Sequence, residues 1–217
     1  MAASLKQIPL FSGLSDEEFA KIEASSSTKT YNKGTIIINE GDSGTSMYML
    51  LSGRVKVFVS DQHGKEYILA VLGPGEYVGE LALLDDEPRT ASVETEEQST
   101  FLVIQKDDFL KLVAAHSDLQ FKLMLNLVGR VRSLTEAVKN LALRDVYGRV
   151  RLLLEDIAVN RDGVVIVEEP LTQQAIADRV GSSREMVARI MKELVYGGYV
   201  RIENKRLIIL NKLPENF

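Results

Sequence analysis

The sequence predicts an α+β protein in three parts: an antiparallel β jelly roll over residues 1–117, a long dimerisation helix over 118–144, and a winged helix-turn-helix over 145–217. Three observations carry that prediction. Between Thr30 and Ile104, short β-rich runs alternate with turn residues. From Asp118 to Arg144 the apolar residues recur with heptad spacing. After Thr172, two helical patterns flank a glycine and a serine.

The chain of 217 residues is long enough for two modest domains that bury their own cores. Its 45% hydrophobic and 26% charged residues are ordinary for a globular protein. No apolar run approaches the roughly 20 residues that span a bilayer, and the first residues lack a secretory pattern, so a cytoplasmic protein without a membrane partner is expected. Cysteine is absent. That removes disulfides, thiolate nucleophiles, and Cys-ligated zinc or iron–sulfur clusters. His63 and His116 stand alone, without a second ligand at metal spacing, so neither a metal nor haem is expected.

Ser15-Asp-Glu-Glu18 is a capping box, continued by Phe19 and Ile22 into a short helix that follows the apolar stretch Ile8–Leu14. Strands are expected at residues 35–38, 47–51, 55–59, 67–72 and 100–104, punctuated by Gly34, Gly41, Gly44, Gly53, Gly64, Gly73 and Gly75. Most of those glycines read as turns. Short strands at regular spacing argue for an antiparallel barrel or jelly roll.

In the long helix, Met124, Leu127, Val131, Leu134, Val138 and Leu141 are separated by steps of 3 and 4, which makes a heptad seam. A seam this narrow, running between Arg130, Arg132, Glu136 and Lys139, predicts pairing with a second copy of the chain, hence a homodimer. Asp145 to Val159 reads as another helix, followed by a turn at Asn160–Gly163 and the strand VVIV.

Leu171 or Thr172 opens the next helix, whose Ala175, Ile176 and Val180 are predicted to face inward; Gly181 supplies a left-handed turn residue and Ser183 an N-cap. In the helix that follows, Val187, Ile190, Met191 and Leu194 form the buried stripe, leaving Arg184, Glu185, Ala188, Arg189 and Lys192 outward. That layout places a second helix in a DNA major groove. An arginine fork matches guanine O6 and N7, a glutamate accepts from the cytosine amino group, and Ala188 leaves room for close approach. The formal charge is −5 overall, yet Arg179–Arg206 carries seven basic against three acidic side chains. Strands at YVRI and RLIIL complete a wing, joined through Glu203 to Lys205.

GELALLDDEPRTAS, from Gly79 to Ser92, sets an acidic cluster before a lone arginine. A glycine that permits close backbone approach, followed by a helical turn with exposed amides, suits an anion. Arg89 would neutralise that anion through a charge-assisted fork, and Glu80 would accept from a sugar hydroxyl. Phosphate plus ribose is a ligand that needs both charges.

The same stretch resembles the phosphate-binding cassette of cyclic-nucleotide-binding domains. Together with PLFSGLSDEE, the long helix, NLALRDVYGRV and the winged helix-turn-helix, it resembles the cyclic AMP receptor protein and fumarate–nitrate regulator family along almost the entire chain. The resemblance implies a homodimeric transcription regulator with double-stranded DNA and RNA polymerase as partners, a cyclic nucleotide effector, cyclic AMP first, and no prosthetic group. It makes residues 1–117 the effector domain. Gly79, Glu80, Leu81 and Ala82 would line the phosphate and ribose, Arg89 the exocyclic oxygens, and Thr90 a further hydroxyl contact. The adenine-contacting hydroxyl positions fall on Leu134 and Thr135, and Leu134 has no hydroxyl. At the DNA, the resemblance implies Gln173, Gln174 and Ser183 near phosphates, and Arg184, Glu185 and Arg189 at the bases of a TGTGA-like half-site. A regulator gated by another ligand, such as a cyclic dinucleotide, or active without one, is the alternative that Leu134 raises. A nucleotide-binding module without DNA function is a third class. No nucleophile, base pair or metal cluster supports an enzyme.

Overall fold

The computed structural model describes residues 8–203 and 206–215. The chain divides into two compact units: Met1–Val59 with Ile68–Arg132, and Ser60–Tyr67 with Ser133–Phe217. The division falls inside the long helix, whereas the sequence placed boundaries near its two ends.

Among the described residues, the first unit begins with a 3₁₀ turn, Pro9–Phe11, and helix α1, Asp16–Ser25. The expected capping box is formed: the Ser15 hydroxyl accepts from the Glu18 amide while the Glu18 carboxylate accepts from the Ser15 amide at 2.6 Å. Strands follow as β1 (Ser27–Tyr31), β2 (Ile36–Ile38), β3 (Ser46–Ser52), β4 (Val55–Ser60), β5 (Glu66–Leu72) and β6 (Tyr77–Val78). The short α2 (Leu81–Leu84) precedes β7 (Ser92–Thr95), β8 (Ser99–Gln105), α3 (Lys106–Ala115) and α4 (Ser117–Leu143). The strands form two four-stranded sheets, β1-β8-β3-β6 and β2-β7-β4-β5, whose recorded pairings are antiparallel.

Alternation along a strand builds the packing. On β3, Met47, Met49 and Leu51 join a cluster with Phe19, Ile22, Phe109, Leu119 and Leu123 of the helices. Leu50 points to the other face and meets Val55, Val93 and Ile38 of the second sheet. Phe101 and Val103 of β8 do the same, while Leu102 and Ile104 side with the helices. Because β3 and β8 are buried on both faces, they read in the sequence as unbroken apolar runs.

Three strands and one helix escaped sequence reading. β1, STKTY, is polar and almost wholly exposed, and exists through five register positions on β8. β7, SVET, is held between β2 and β4. α3 lies directly after β8 and buries Phe109. The fourth difference is β9, in the second unit.

That unit holds the end of α4, then α5 (Val146–Ile157), β9 (Val159–Arg161), β10 (Val164–Val167), α6 (Gln173–Val180), α7 (Arg184–Tyr196), β11 (Val200–Glu203) and β12 (Arg206–Ile209). Asp145, read as part of the helix, is instead the α5 N-cap, accepting from the Gly148 amide at 2.8 Å. β9 pairs with β10 around Asp162 and Gly163, both at positive φ, as a two-residue hairpin requires. The wing strands β11 and β12 pair as expected, with the turn at Asn204 and Lys205 outside the described residues. The sheet order is β11-β12-β10-β9. Tyr147, Val150, Ile176, Ala177, Val187, Leu194 and Leu207 share its core. Ala177, rather than Ala175, is the inward alanine of α6: Ala175 is half-buried.

Candidate anion pocket and DNA-reading helix

In the first unit, β6 delivers the chain into Gly79, whose φ of +87° turns it toward α2. Arg89 comes back beside it, only 8% exposed. Its Nη1 donates to the Gly79 carbonyl and its Nη2 to the Ser46 carbonyl at 2.5 Å. The acidic cluster Asp85, Asp86 and Glu87, with Pro88, is exposed, and only after it does the chain turn the guanidinium inward. Two glycines make room: a Cβ at Gly79 would lie 2.5 Å from Arg89 Nη1, and one at Gly44 would lie 2.7 Å from Arg89 Cζ and 2.8 Å from Ala82 Cβ. Burial pulls the guanidinium below its ordinary basicity, while Tyr48, Glu80 and Asp42 oppose that. In α2, Leu83 and Leu84 amides bond back to the Glu80 carbonyl. The Leu81 and Ala82 amides precede them, in the position where a helical turn leaves donors for a ligand.

Glu80 is fully buried. Its Oε1 accepts from Arg130 Nη1 of α4 at 2.6 Å, and Arg130 Nη2 donates to the Tyr77 carbonyl at 2.7 Å, its guanidinium lying 5.3 Å over the Tyr77 ring. Glu80 Oε2 and the Tyr77 hydroxyl are buried without a protein partner. Desolvation raises the Glu80 carboxyl above its ordinary value, against the pull of Arg130 and Arg89. It raises the Tyr77 phenol as well, with the Glu80 charge adding to it. An orphaned buried acceptor beside an inward arginine suits a ligand carrying both a hydroxyl and an anion.

The structure therefore brings together Gly79, Glu80, Leu81, Ala82 and Arg89. Thr90 is exposed. Leu134 and Thr135 belong to the second unit, on the exposed side of α4, with Leu134 46% exposed. Sequence reasoning missed Gly44, Ser46 and Arg130. Gly44 looked like one more turn glycine, Ser46 contributes a main-chain oxygen, and Arg130 read as a flank of the seam.

In the second unit, Thr172 caps α6 by accepting from the Ala175 amide, and Gly181 ends it at φ 66°, ψ 46°. Ser183 then caps α7, accepting from the Met186 amide at 3.2 Å. Val187, Ile190, Met191 and Leu194 are buried, as the periodicity requires. Arg184, Glu185 and Arg189 are exposed, as are Gln173, Gln174 and Ser183. Gln174 donates to Asp178 at 2.7 Å.

Among the described residues, no group of three or more His, Asp or Glu is placed to hold a metal ion, and no helix is long and apolar enough to cross a membrane. Residues 28–116 match the cyclic nucleotide-binding domain, and residues 148–214 the Crp-like helix-turn-helix domain. The cyclic AMP receptor protein of Thermus thermophilus is 32% identical over 201 residues, covering 91% of this chain and 90% of its own. The cAMP-activated global transcriptional regulator CRP of Escherichia coli is 30% identical over 183 residues, covering 82% and 87%. In fold, the c-di-GMP responsive regulator CLP of Xanthomonas campestris aligns with a TM-score of 0.77 at 23% identity, over 90% of this chain and 100% of that one. With both domain models in sequence order and relatives matching nearly end to end, the chain belongs to the CRP/FNR family of DNA-binding transcription regulators and is not an enzyme.

Proposed function

We propose that this regulator is a homodimer gated by a cyclic nucleotide, cyclic AMP in the first instance, which binds at Gly79, Glu80, Leu81, Ala82 and Arg89. The observation that carries the reading is the inward guanidinium of Arg89, held by the Gly79 and Ser46 carbonyls next to the orphaned Glu80 Oε2. The cyclic phosphate would take the remaining Arg89 donors and the amides of Leu81 and Ala82. A ribose hydroxyl would donate to Glu80. Thr90, Leu134 and Thr135 complete the proposed ligand set. Relatives named for cyclic AMP support the choice of nucleotide.

Dimerisation rests on α4. Val131 is 63% and Val138 64% exposed, and Met124, Leu134 and Leu141 share their exposure. An apolar seam of this length is a surface that a second copy would cover. Binding then shifts an equilibrium between two arrangements of the dimer by its differential affinity for them. On DNA, Arg184, Glu185 and Arg189 would read bases, with Gln173, Gln174 and Ser183 at phosphates; RNA polymerase is the proposed downstream partner.

Calorimetric titration with cyclic AMP, cyclic GMP and cyclic di-GMP tests the gate. Arg89→Ala should abolish cyclic AMP binding; unchanged affinity would remove Arg89 from its role. Leu134 favours a second reading, because an isobutyl group stands where a base-contacting hydroxyl is expected. Tight, specific DNA binding without nucleotide would support that reading.

A further inference from the structure

Arg89 is fastened at two points, and a side chain outside the stretch from Gly79 to Ser92 stands beside both. The Ser46 carbonyl of β3 accepts from Nη2 and the Gly79 carbonyl from Nη1. On β3, Tyr48 follows Ser46 by two residues, so it shares that strand face and lies about 7 Å further along. Across the ladder Tyr48 pairs with Val78, the residue before Gly79. Opposed residues of an antiparallel pair project to the same side. For these two that side is the space between the sheets, where Tyr48 packs against the cluster of Leu50, Val78, Phe101 and Val103.

The ring of Tyr48 is fixed, whereas its hydroxyl is unpaired. The ring meets the fully buried Phe101 edge-on, with centroids 6.1 Å apart and planes at 89°, and Tyr31 meets Phe101 from the neighbouring strand β1 at 5.8 Å. Tyr48 is only half-buried, and among the described residues its hydroxyl makes no hydrogen bond. Tyr147 shows the contrast: its hydroxyl donates to the Pro214 carbonyl at 2.8 Å, the usual arrangement of a packed phenol. The Tyr48 phenol also stands within electrostatic range of the Arg89 guanidinium. A phosphodiester carries one negative charge, which one guanidinium matches; a neutral phenol adds a donor without a second charge.

We infer that Tyr48 is a further binding residue of the anion pocket: its hydroxyl donates to one of the two non-bridging oxygens of the phosphate, while the Arg89 fork faces the other. The inference rests on the cyclic nucleotide reading made above and adds to it a donor from β3. Two unlike partners make the two oxygens inequivalent, so the site discriminates between phosphates substituted at one oxygen or the other.

The test is calorimetric titration of the full chain with cyclic AMP and with its Rp and Sp phosphorothioates. Tyr48→Phe keeps the ring against Phe101 and removes only the donor, so its melting temperature should match that of the unmodified protein. Its affinity for cyclic AMP should fall about tenfold, as expected when a hydrogen bond to a charged group is lost. Sulfur is a weak acceptor, so the isomer with sulfur facing Tyr48 should bind the variant and the unmodified protein alike, while the other isomer keeps the tenfold difference. Equal affinity of the two proteins for cyclic AMP overturns the inference. So does a loss of one size for cyclic AMP and both isomers, which marks an indirect effect on the pocket. Tyr31→Phe, on the other side of Phe101, should change none of the three affinities; a matching loss there assigns the effect to the aromatic cluster and overturns the role of the Tyr48 hydroxyl. Failure of the underlying reading looks different: the unmodified protein would then bind neither cyclic AMP nor cyclic GMP, and the role of Tyr48 falls with it.

Discussion

Arg130 of α4 closes on Glu80, at the mouth of α2, with Nη1 and Oε1 2.6 Å apart, and leaves the second carboxylate oxygen buried without a donor. The carboxylate is fully buried and the arginine one-third exposed, so the pair is unequal in what each partner loses when the other is removed. Arg130→Ala strands a buried anion. It should cost about 2 kcal/mol of unfolding free energy, in the range of a hydrogen bond to a charged group, measured by urea denaturation. Arg130→Ala with Glu80→Gln should recover part of that loss.

Glu80 also imposes a pH dependence. Burial raises its folded value above the ordinary 4.5, so between 4.5 and that raised value the folded chain holds a proton the unfolded chain has released. The contribution of Glu80 to stability is therefore fully present below 4.5 and is lost as pH climbs through the folded value. Melting profiles of the ligand-free protein from pH 4 upward should show that decline, and Glu80→Gln should remove it while leaving the decline of other groups.

Gly44→Ala inserts a methyl group 2.7 Å from Arg89 Cζ and 2.8 Å from Ala82 Cβ. Overpacking of this kind costs about 1–3 kcal/mol, and here it falls on Arg89, the side chain proposed to hold the anion. Both melting temperature and cyclic nucleotide affinity should drop. Gly34→Ala, whose added Cβ meets nothing within 4 Å, is strained only by its φ of +77° and should leave nucleotide affinity unchanged.

At the helix-turn-helix, Ser183→Ala removes the α7 cap and should cost about 1 kcal/mol. Arg184→Ala or Arg189→Ala touches no core residue, so stability should hold while discrimination at one base pair falls by about 1–3 kcal/mol, read by competition binding at fixed salt.

Charging the seam with Val131→Asp and Val138→Asp should give a monomer in sedimentation velocity, since both sites are more than 60% exposed in the chain alone.

How much of this was readable in the sequence follows from where each signal resides. The α7 stripe, the Ser183 cap and the left-handed Gly181 are local, set by side chains within one or two turns, and they came out residue for residue. Arg89 was legible for a similar reason: it lies ten residues from the glycine it bonds. β1 and β7 were not, because STKTY and SVET carry no apolar run and owe their conformation to the strands beside them. Arg130 sits 50 residues from Glu80, and nothing in its neighbourhood distinguishes it from a solvated arginine. Asp145 was placed one residue inside the helix it caps, an error inherent in reading an end from periodicity alone.

The two carbonyls that fasten Arg89 have a thermodynamic consequence. A long side chain that is free in solution surrenders up to about 2 kcal/mol of rotamer entropy when it is immobilised. Here that surrender takes place as the β-roll folds, before any anion arrives. On the proposed reading, selectivity among anions would turn on their own dehydration and shape, and an incoming phosphate would meet a fork whose direction is already settled.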